Sequence, residues 1–381
     1  MQGQGRAAPP YNRRMRILAV DVGTGTQDIL LFDSEGAIEN ALQLIMPAPT
    51  AIAERRIRRA TADGRAVVLT GMIAGGGPCH WALEDHLRAG QAAFATADAA
   101  TTFDDDLKNV ERMGVTLVSE EEAAGVDGEQ IRLRDLDLGA IRTALAAFDV
   151  AGDFDGIAVG CLDHGAAPPG YSDRLFRFDH LRRVVEAKND LRAFACLPDE
   201  LPEYLTRARA LVSCIDSGVP AVFLDTGPAA ALGTLQDTNV SHDAPQLVLN
   251  LGNMHALCFH LRGTQIISLF EHHTGEVTAE QIETFTERLA AGTLEHEEIF
   301  GSKGHGAFYA AGENGDDGAA APVAVTGPQR GKLRGSRLSP YFAVPHGDMM
   351  VSGCFGLLWA FAEKHASARD EVLRALGVSA A

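Results

Sequence analysis

Apolar residues fall in short runs bounded by glycine-rich turns along much of the chain. Arg16 to Val22 (RILAVDV) reads as a buried strand, rich in β-branched residues. Gly23-Thr24-Gly25-Thr26 is a turn, Asp28 to Asp33 a second strand, Ser34-Glu35-Gly36 another turn, and Ala41 to Met46 a third strand. Strands joined by such short links are antiparallel neighbours, so the chain opens as a meander. Thr50 to Ala62 takes helical spacing, with Pro49 ahead and Gly64 behind. A strand at Ala66 to Ile73 and a helix at His80 to Ala89 follow, and this alternation predicts parallel strands covered by helices.

The more polar stretch from Phe103 to Asp137 reads as an insertion. Leu138 to Phe148 is predicted helical, Gly156 to Leu162 a strand, Leu201 to Ser217 a helix, Ala221 to Asp225 a strand and Ala229 to Leu235 a small-residue helix. The opening pattern then returns. Gln246 to Leu251, His255 to Leu261 and Gln265 to Phe270 are three strands with turns at Gly252-Asn253-Met254 and Gly263, and Thr278 to Ala290 is helical. Gly312 to Ala321 reads as a linker, Pro322 to Thr326 as a strand and Met349 to Lys364 as the last long helix. Strand–turn–strand–turn–strand–helix thus occurs twice, which is stronger evidence than either copy alone.

The 381 residues, 46% of them hydrophobic, suffice for two cores and are many for one. The expected division is a disordered tail at 1–15, a first domain at 16–240 with insertions near 103–137 and 163–200, a second domain at 241–370, and a tail at 371–381. A formal net charge of −18 repels phosphate backbones and anionic lipid, so neither nucleic acid nor a membrane surface is an expected partner. No stretch approaches the roughly 20 apolar residues of a membrane span, and Met1 to Arg14 lacks the apolar centre of a secretory signal. The six cysteines are dispersed, with no two within three residues of each other. That pattern fits reduced, mostly buried thiols in a cytoplasm rather than a zinc ribbon or an iron–sulfur loop.

The segment VDVGTGTQD, residues 20–28, carries the chemistry. Gly23 and Gly25 allow close backbone approach, their neighbours can aim N–H groups at an anion, and Thr24 and Thr26 add hydroxyl donors. Asp21, at a strand end beside the loop, suits a magnesium ion held through water. A lone turn of this kind also serves as a plain tight hairpin.

This segment resembles the first phosphate motif of the actin-like ATPase superfamily, which includes actin, sugar kinases, heat-shock chaperones and activators of dehydratases. The resemblance implies an α/β fold of two actin-like (ribonuclease H-like) domains, each a mixed five-stranded sheet flanked by helices, with a nucleotide cleft between them. ATP and magnesium are the implied cofactors. The second hairpin of that fold falls at Asn250-Leu251-Gly252-Asn253-Met254, where Asn250 replaces the usual acidic residue. VAVTGPQR, residues 323–330, resembles the adenosine loop, with Gly327 near the nucleoside. The domain-linking helices of the fold fall at Ala229 to Gly233 and Val351 to Leu357.

Four polar strings adjoin predicted strand ends or turns: Asp163-His164-Gly165, Glu271-His272-His273-Thr274, Gly304-His305-Gly306 and His346-Gly347-Asp348. His272, His273 and His305, with Glu271, are candidate metal ligands, although adjacent histidines on a strand point to opposite faces. Asp163, beside His164, and Asp225 are candidate general bases. Arg174 or Arg177, with Glu271, His272, His346 and Asp348, are candidates to hold a small-molecule substrate. These strings also resemble a family labelled pyruvate formate-lyase activating enzymes. The label implies a radical enzyme with three closely spaced cysteines on a cluster, and no such spacing occurs here.

Three functions remain open from sequence. One is an ATPase or small-molecule kinase. Another is a nucleotide-switched activator of a partner enzyme, working as a homodimer. The third is a metal-dependent enzyme on the histidine loops that has dispensed with ATP.

Overall fold

The computed structural model describes residues 14–311 and 321–378. All but the last two residues of the expected N-terminal tail, and nearly all of the Gly312 to Ala321 linker, lie outside them. Strands β1 (Arg16–Val22), β2 (Thr26–Asp33) and β3 (Leu42–Pro47) pair as the antiparallel meander. The chain then leaves this sheet. Strands β4 (Val67–Gly71), β5 (Ala93–Ala95), β6 (Val115–Leu117) and β7 (Glu129–Leu133) form a separate, all-parallel sheet in the order β6-β5-β4-β7. The insertion is therefore larger than the expected 103–137 and has its own core, around Ile57, Leu69, Leu83 and Val110. Alternation of strand and helix tells that strands are parallel; it does not tell which sheet they join.

The chain returns as β8 (Gly156–Cys161), parallel to β1, and β9 (Ala221–Phe223), parallel to β8. The first main sheet is thus ordered β3-β2-β1-β8-β9. The second half repeats it. Strands β10 (Gln246–Leu251), β11 (His255–Arg262) and β12 (Gln265–His273) form a meander. Strand β13 (Gly306–Tyr309) pairs antiparallel with β12 at one edge, while β14 (Val323–Thr326) and β15 (Tyr341–Phe342) lie parallel on the other side of β10. The order β12-β11-β10-β14-β15 matches the first sheet strand for strand and direction for direction, with β13 added at the edge. Two copies of one mixed five-stranded sheet are the architecture of the actin-like ATPase fold.

One apolar core joins the halves. It takes Ile17, Leu30 and Ala158 from the first sheet, Val248, Phe259 and Leu269 from the second, and Cys354 to Ala362 from the helix Ser352–Lys364. Domain membership accordingly does not follow the chain as 16–240 and 241–370, because that last long helix packs back on β1 and β8. Nor is 371–381 simply a tail: the helix Ala366–Ala375 buries Val372 and Leu373 in the same core. The helix expected at Leu201 to Ser217 spans only Thr206–Ser213.

Candidate functional site

The β1–β2 and β10–β11 hairpins are built alike. The Gly23 amide donates to the Thr26 carbonyl at 3.0 Å, and the Gly252 amide donates to the His255 carbonyl at 2.9 Å. The two turns face each other. A methyl group on Gly25 would overlap the side-chain nitrogen of Asn253, so any larger residue there must push that side chain aside. Both turns line one crevice with Asp21, Asp28 and Gly327. Its volume is about 80 Å³. A cavity of about 910 Å³ adjoins it, since Gly23 and Thr24 line both.

Asp21 and Asp28 are cross-strand partners on β1 and β2. Burial pushes Asp21 up to about 7, against a 2.6 Å hydrogen bond from the Thr226 hydroxyl and with the charge of Asp225 adding to the rise. Burial pushes Asp28 up to about 8, with the neighbouring Asp21 as the next cause. One Asp28 oxygen is buried without a hydrogen-bond partner, and among the described residues no cationic side chain pairs with either carboxylate. Two such carboxylates beside an anion-accepting turn fit a magnesium ion, which binds through one or two carboxylates plus phosphate and keeps several waters. Asp28 was not among the expected site residues, although it lies within the motif that carried the argument. The pairing register makes it visible.

Several sequence candidates are engaged elsewhere. Asp163, expected as a base, accepts the Gly165 amide at 2.8 Å and the Ala208 amide at 2.9 Å, one on each carboxylate oxygen. It fastens the start of the helix Thr206–Ser213. Asp225 and Glu271 both pair with Arg177, which is fully buried. Asp225 comes from the end of β9, Glu271 from β12 and Arg177 from the helix Asp173–Ala187, so this triad pins the two halves together. Both carboxylates are thus committed to a structural ion pair. Arg174 donates to the carbonyls of Phe300 and Gly304, at 3.2 and 2.7 Å, and lies over the Phe300 ring. His346 bonds to Gln236 at 3.0 Å and meets the Phe355 ring edge-on, away from the crevice. Asp348 accepts the Met350 amide at 2.7 Å and reaches the crevice only as a charge near Asp28. Gly327 abuts Asn250 and the Leu251 carbonyl, at the crevice wall.

The histidines divide. His272 turns away from its neighbour, bonding the His273 carbonyl and the Ser302 hydroxyl, both at 3.1 Å. His273 and His305 instead meet His164 and His255, and one ring nitrogen from each of the four lies within 4.8 Å of every other. His255, which directly follows the turn of the second hairpin, opens β11. Its register partner on β11–β12 is His273, and the pairing brings it in.

A family profile described as "Putative pyruvate format-lyase activating enzyme (DUF1786)" matches residues 74–332, more than half of the chain. The chain belongs to that family. The family match takes in the four histidines and the second hairpin, while the first hairpin precedes it. No curated protein matches the sequence. Among solved structures, the activator of 2-hydroxyisocaproyl-CoA dehydratase from Clostridium difficile, with bound ADPNP, aligns at 10% identity over 93% of this chain and 98% of its own, with a TM-score of 0.33. The ethanolamine utilization protein EutJ from Carboxydothermus hydrogenoformans aligns at 11% identity over 93% and 90%, TM-score 0.27. A Ppx/GppA family member from Aquifex aeolicus aligns at 10% identity over 96% and 92%, TM-score 0.27. At these scores the alignments add nothing to the duplicated sheet topology described above. No helix among the described residues is long and apolar enough to cross a membrane.

Proposed function

We infer that this family member binds Mg-ATP in the crevice between its two glycine hairpins and responds to it by a change in how the two halves meet. The observation that carries this reading is the direct apposition of Gly25 and Asn253, with Asp21 and Asp28 at the same crevice. Backbone amides around Gly23–Thr26 would hold one side of the phosphates, and Gly252 and Asn253 the other. Asp21 and Asp28 would hold magnesium, which supplies charge neutralisation for the β- and γ-oxygens. Asn250, uncharged, would contribute at most a hydrogen bond to a metal-bound water. Gly327 stands where a nucleoside can meet backbone. Positioning and charge stabilisation are then the chain's whole contribution to any phosphoryl transfer.

A second reading, a nucleotide-switched activator of a partner enzyme, gains from one observation. The two carboxylates expected as general base, Asp163 and Asp225, are each engaged, by backbone amides and by Arg177. Multiple-turnover phosphate release from Mg-ATP favours the enzyme; binding without turnover favours the switch. A radical activating enzyme, as the family description would have it, needs clustered cysteines, and the six here are dispersed free thiols.

Isothermal titration with Mg-ADPNP tests the binding itself. Wild type should bind one equivalent, and Gly25→Val, whose side chain must displace Asn253, should bind at least about 10-fold more weakly, a loss of about 1.4 kcal/mol. Equal binding by both proteins, or none by the wild type, rejects the site.

A further inference from the structure

Four histidines from both halves of the molecule converge on one point. His164 follows β8 in the first half; His255 opens β11, His273 closes β12 and His305 precedes β13 in the second. We propose that His164, His255, His273 and His305 form a binding site for a single divalent first-row transition-metal ion, of the zinc or cobalt kind, that bridges the two halves.

The spacing is that of a coordination shell slightly opened. At metal–nitrogen distances of roughly 2.0–2.1 Å, the nitrogens of a tetrahedral site lie about 3.3 Å apart. The Nε2 atoms of His164 and His305 are already 3.2 Å apart. All four ligand nitrogens fall within 4.8 Å of one another, a gap that small side-chain rotations close. Most of the rings are tilted rather than stacked: His273 and His305 sit 4.6 Å apart at 57°, His255 and His305 5.3 Å apart at 51°. His164 and His305 alone lie nearly parallel, at 11°.

The hydrogen bonding points the same way. A network of neutral imidazoles can satisfy itself by donating on one nitrogen and accepting on the other. This one does not. His255 Nε2 is buried with no hydrogen-bond partner. A buried unpaired polar atom calls for a missing ligand. His273 Nδ1 lies 3.0 Å from the Lys303 carbonyl. Donation there fixes the tautomer that leaves Nε2 free to ligate, the usual outer-shell arrangement. Arg174, bound to the neighbouring Gly304 carbonyl, holds the turn that carries His305.

A cation has a route in. The 910 Å³ cavity reaches His164 and is lined by Asp104, Asp105, Asp106 and Asp173. Burial and then the charge of Asp173 raise Asp105 to about 6, a sign of crowded negative potential. Arg207 also lines the cavity but is paired with Asp135, so the acidic side chains outweigh it, and a wall of mainly one sign concentrates the opposite ion. The bare four-nitrogen set suits zinc, copper, nickel or iron rather than magnesium or calcium, so this centre is chemically separate from Asp21 and Asp28.

The test uses the tag-free full chain without nucleotide, so that its outcome is independent of Mg-ATP binding. Stripped protein is loaded with Zn²⁺, dialysed and assayed for bound metal, and in parallel titrated with Co²⁺ while visible absorption is read. One equivalent of zinc and the visible bands of low-symmetry cobalt are expected. His164→Gln and His305→Asn should each weaken binding by at least about 100-fold, more than the loss of an outer-shell partner, while His272→Gln should bind as wild type does. Because His305 is buried, folding is checked by thermal melting, and His164→Gln carries the test if the other variant fails to fold. Folded wild type that retains well under one equivalent and gives no cobalt bands overturns the proposal, as does His164→Gln binding that matches wild type; the cluster would then be a water-filled hydrogen-bond network.

Discussion

At the scale of single residues, the site turns on groups whose role depends on a partner across a strand. Asp21 was legible in the sequence because it ends an apolar run beside a glycine turn. Asp28 was not, because facing Asp21 requires the register of β1 on β2. The same holds for His255, which gains meaning only opposite His273. Of the adjacent pair His272 and His273, strand alternation allowed only one to aim at a given site, and the pairing selects His273. The raised carboxyls make a prediction here. A group held near 8 in the folded chain and ionising near 3.8 when unfolded stabilises the fold most below pH 4, and that contribution is lost as pH climbs towards 8. Asp28→Asn should therefore melt higher than wild type at pH 8, by several degrees, and close to it at pH 4. Millimolar Mg²⁺, which favours the ionised form, should narrow the gap at pH 8 by raising wild type alone. Thermal melts at the two pH values, with and without magnesium, decide this; wild-type and variant curves that run parallel from pH 4 to 8 would show that Asp28 ionises normally.

At the scale of elements, the duplicated meander was readable because three of its four links are only two or three residues long, and strands so joined can hardly pair otherwise. The third sheet was not, since alternating strands and helices look alike whether they extend one sheet or begin another. Engaged carboxylates were equally hidden: Asp163 and Asp225 look like bases until the amides of Gly165 and Ala208 and the guanidinium of Arg177 are seen on them. The small residues of the two linking helices did carry through. The helix Thr226–Thr234 crosses Ser352–Lys364 so closely that a Cβ on Gly233 would strike the Ser352 carbonyl, and one on Gly356 the Ala229 carbonyl. These are backbone atoms and cannot swing aside. Gly356→Ala should thus cost about 1–3 kcal/mol or more through overpacking, despite alanine being the better helix former. Gly275→Ala, at an open position, should change little. Denaturant melts of both variants compare them directly, and equal midpoints would mean that the helices can separate at no cost.

At the scale of the whole molecule, the two halves are held by three different devices: a common apolar core, the buried Arg177 triad and the apposed hairpins. Of the three, only the hairpins line the crevice directly. A volume of about 80 Å³ is far below the 300–1,000 Å³ of ordinary ligand sites. On the proposed reading, phosphates gripped between the hairpins, with the rest of the nucleotide in the adjoining cavity of about 910 Å³, would need the hairpins to part while the common core stays joined. A pair of close-packed glycine helices beneath the crevice is suited to such a shear. Opening that precedes binding has a kinetic signature: the observed association rate stops rising once capture is faster than opening. Stopped-flow mixing with a fluorescent Mg-ATP analogue should show a rate that saturates with nucleotide concentration in wild type. Asn253→Ala, which removes the side chain pressed on Gly25, should raise that plateau while weakening the final complex. A rate that climbs linearly across the accessible range, alike in both proteins, would mean that the hairpins stand open in solution most of the time and that the shut crevice is a minority state.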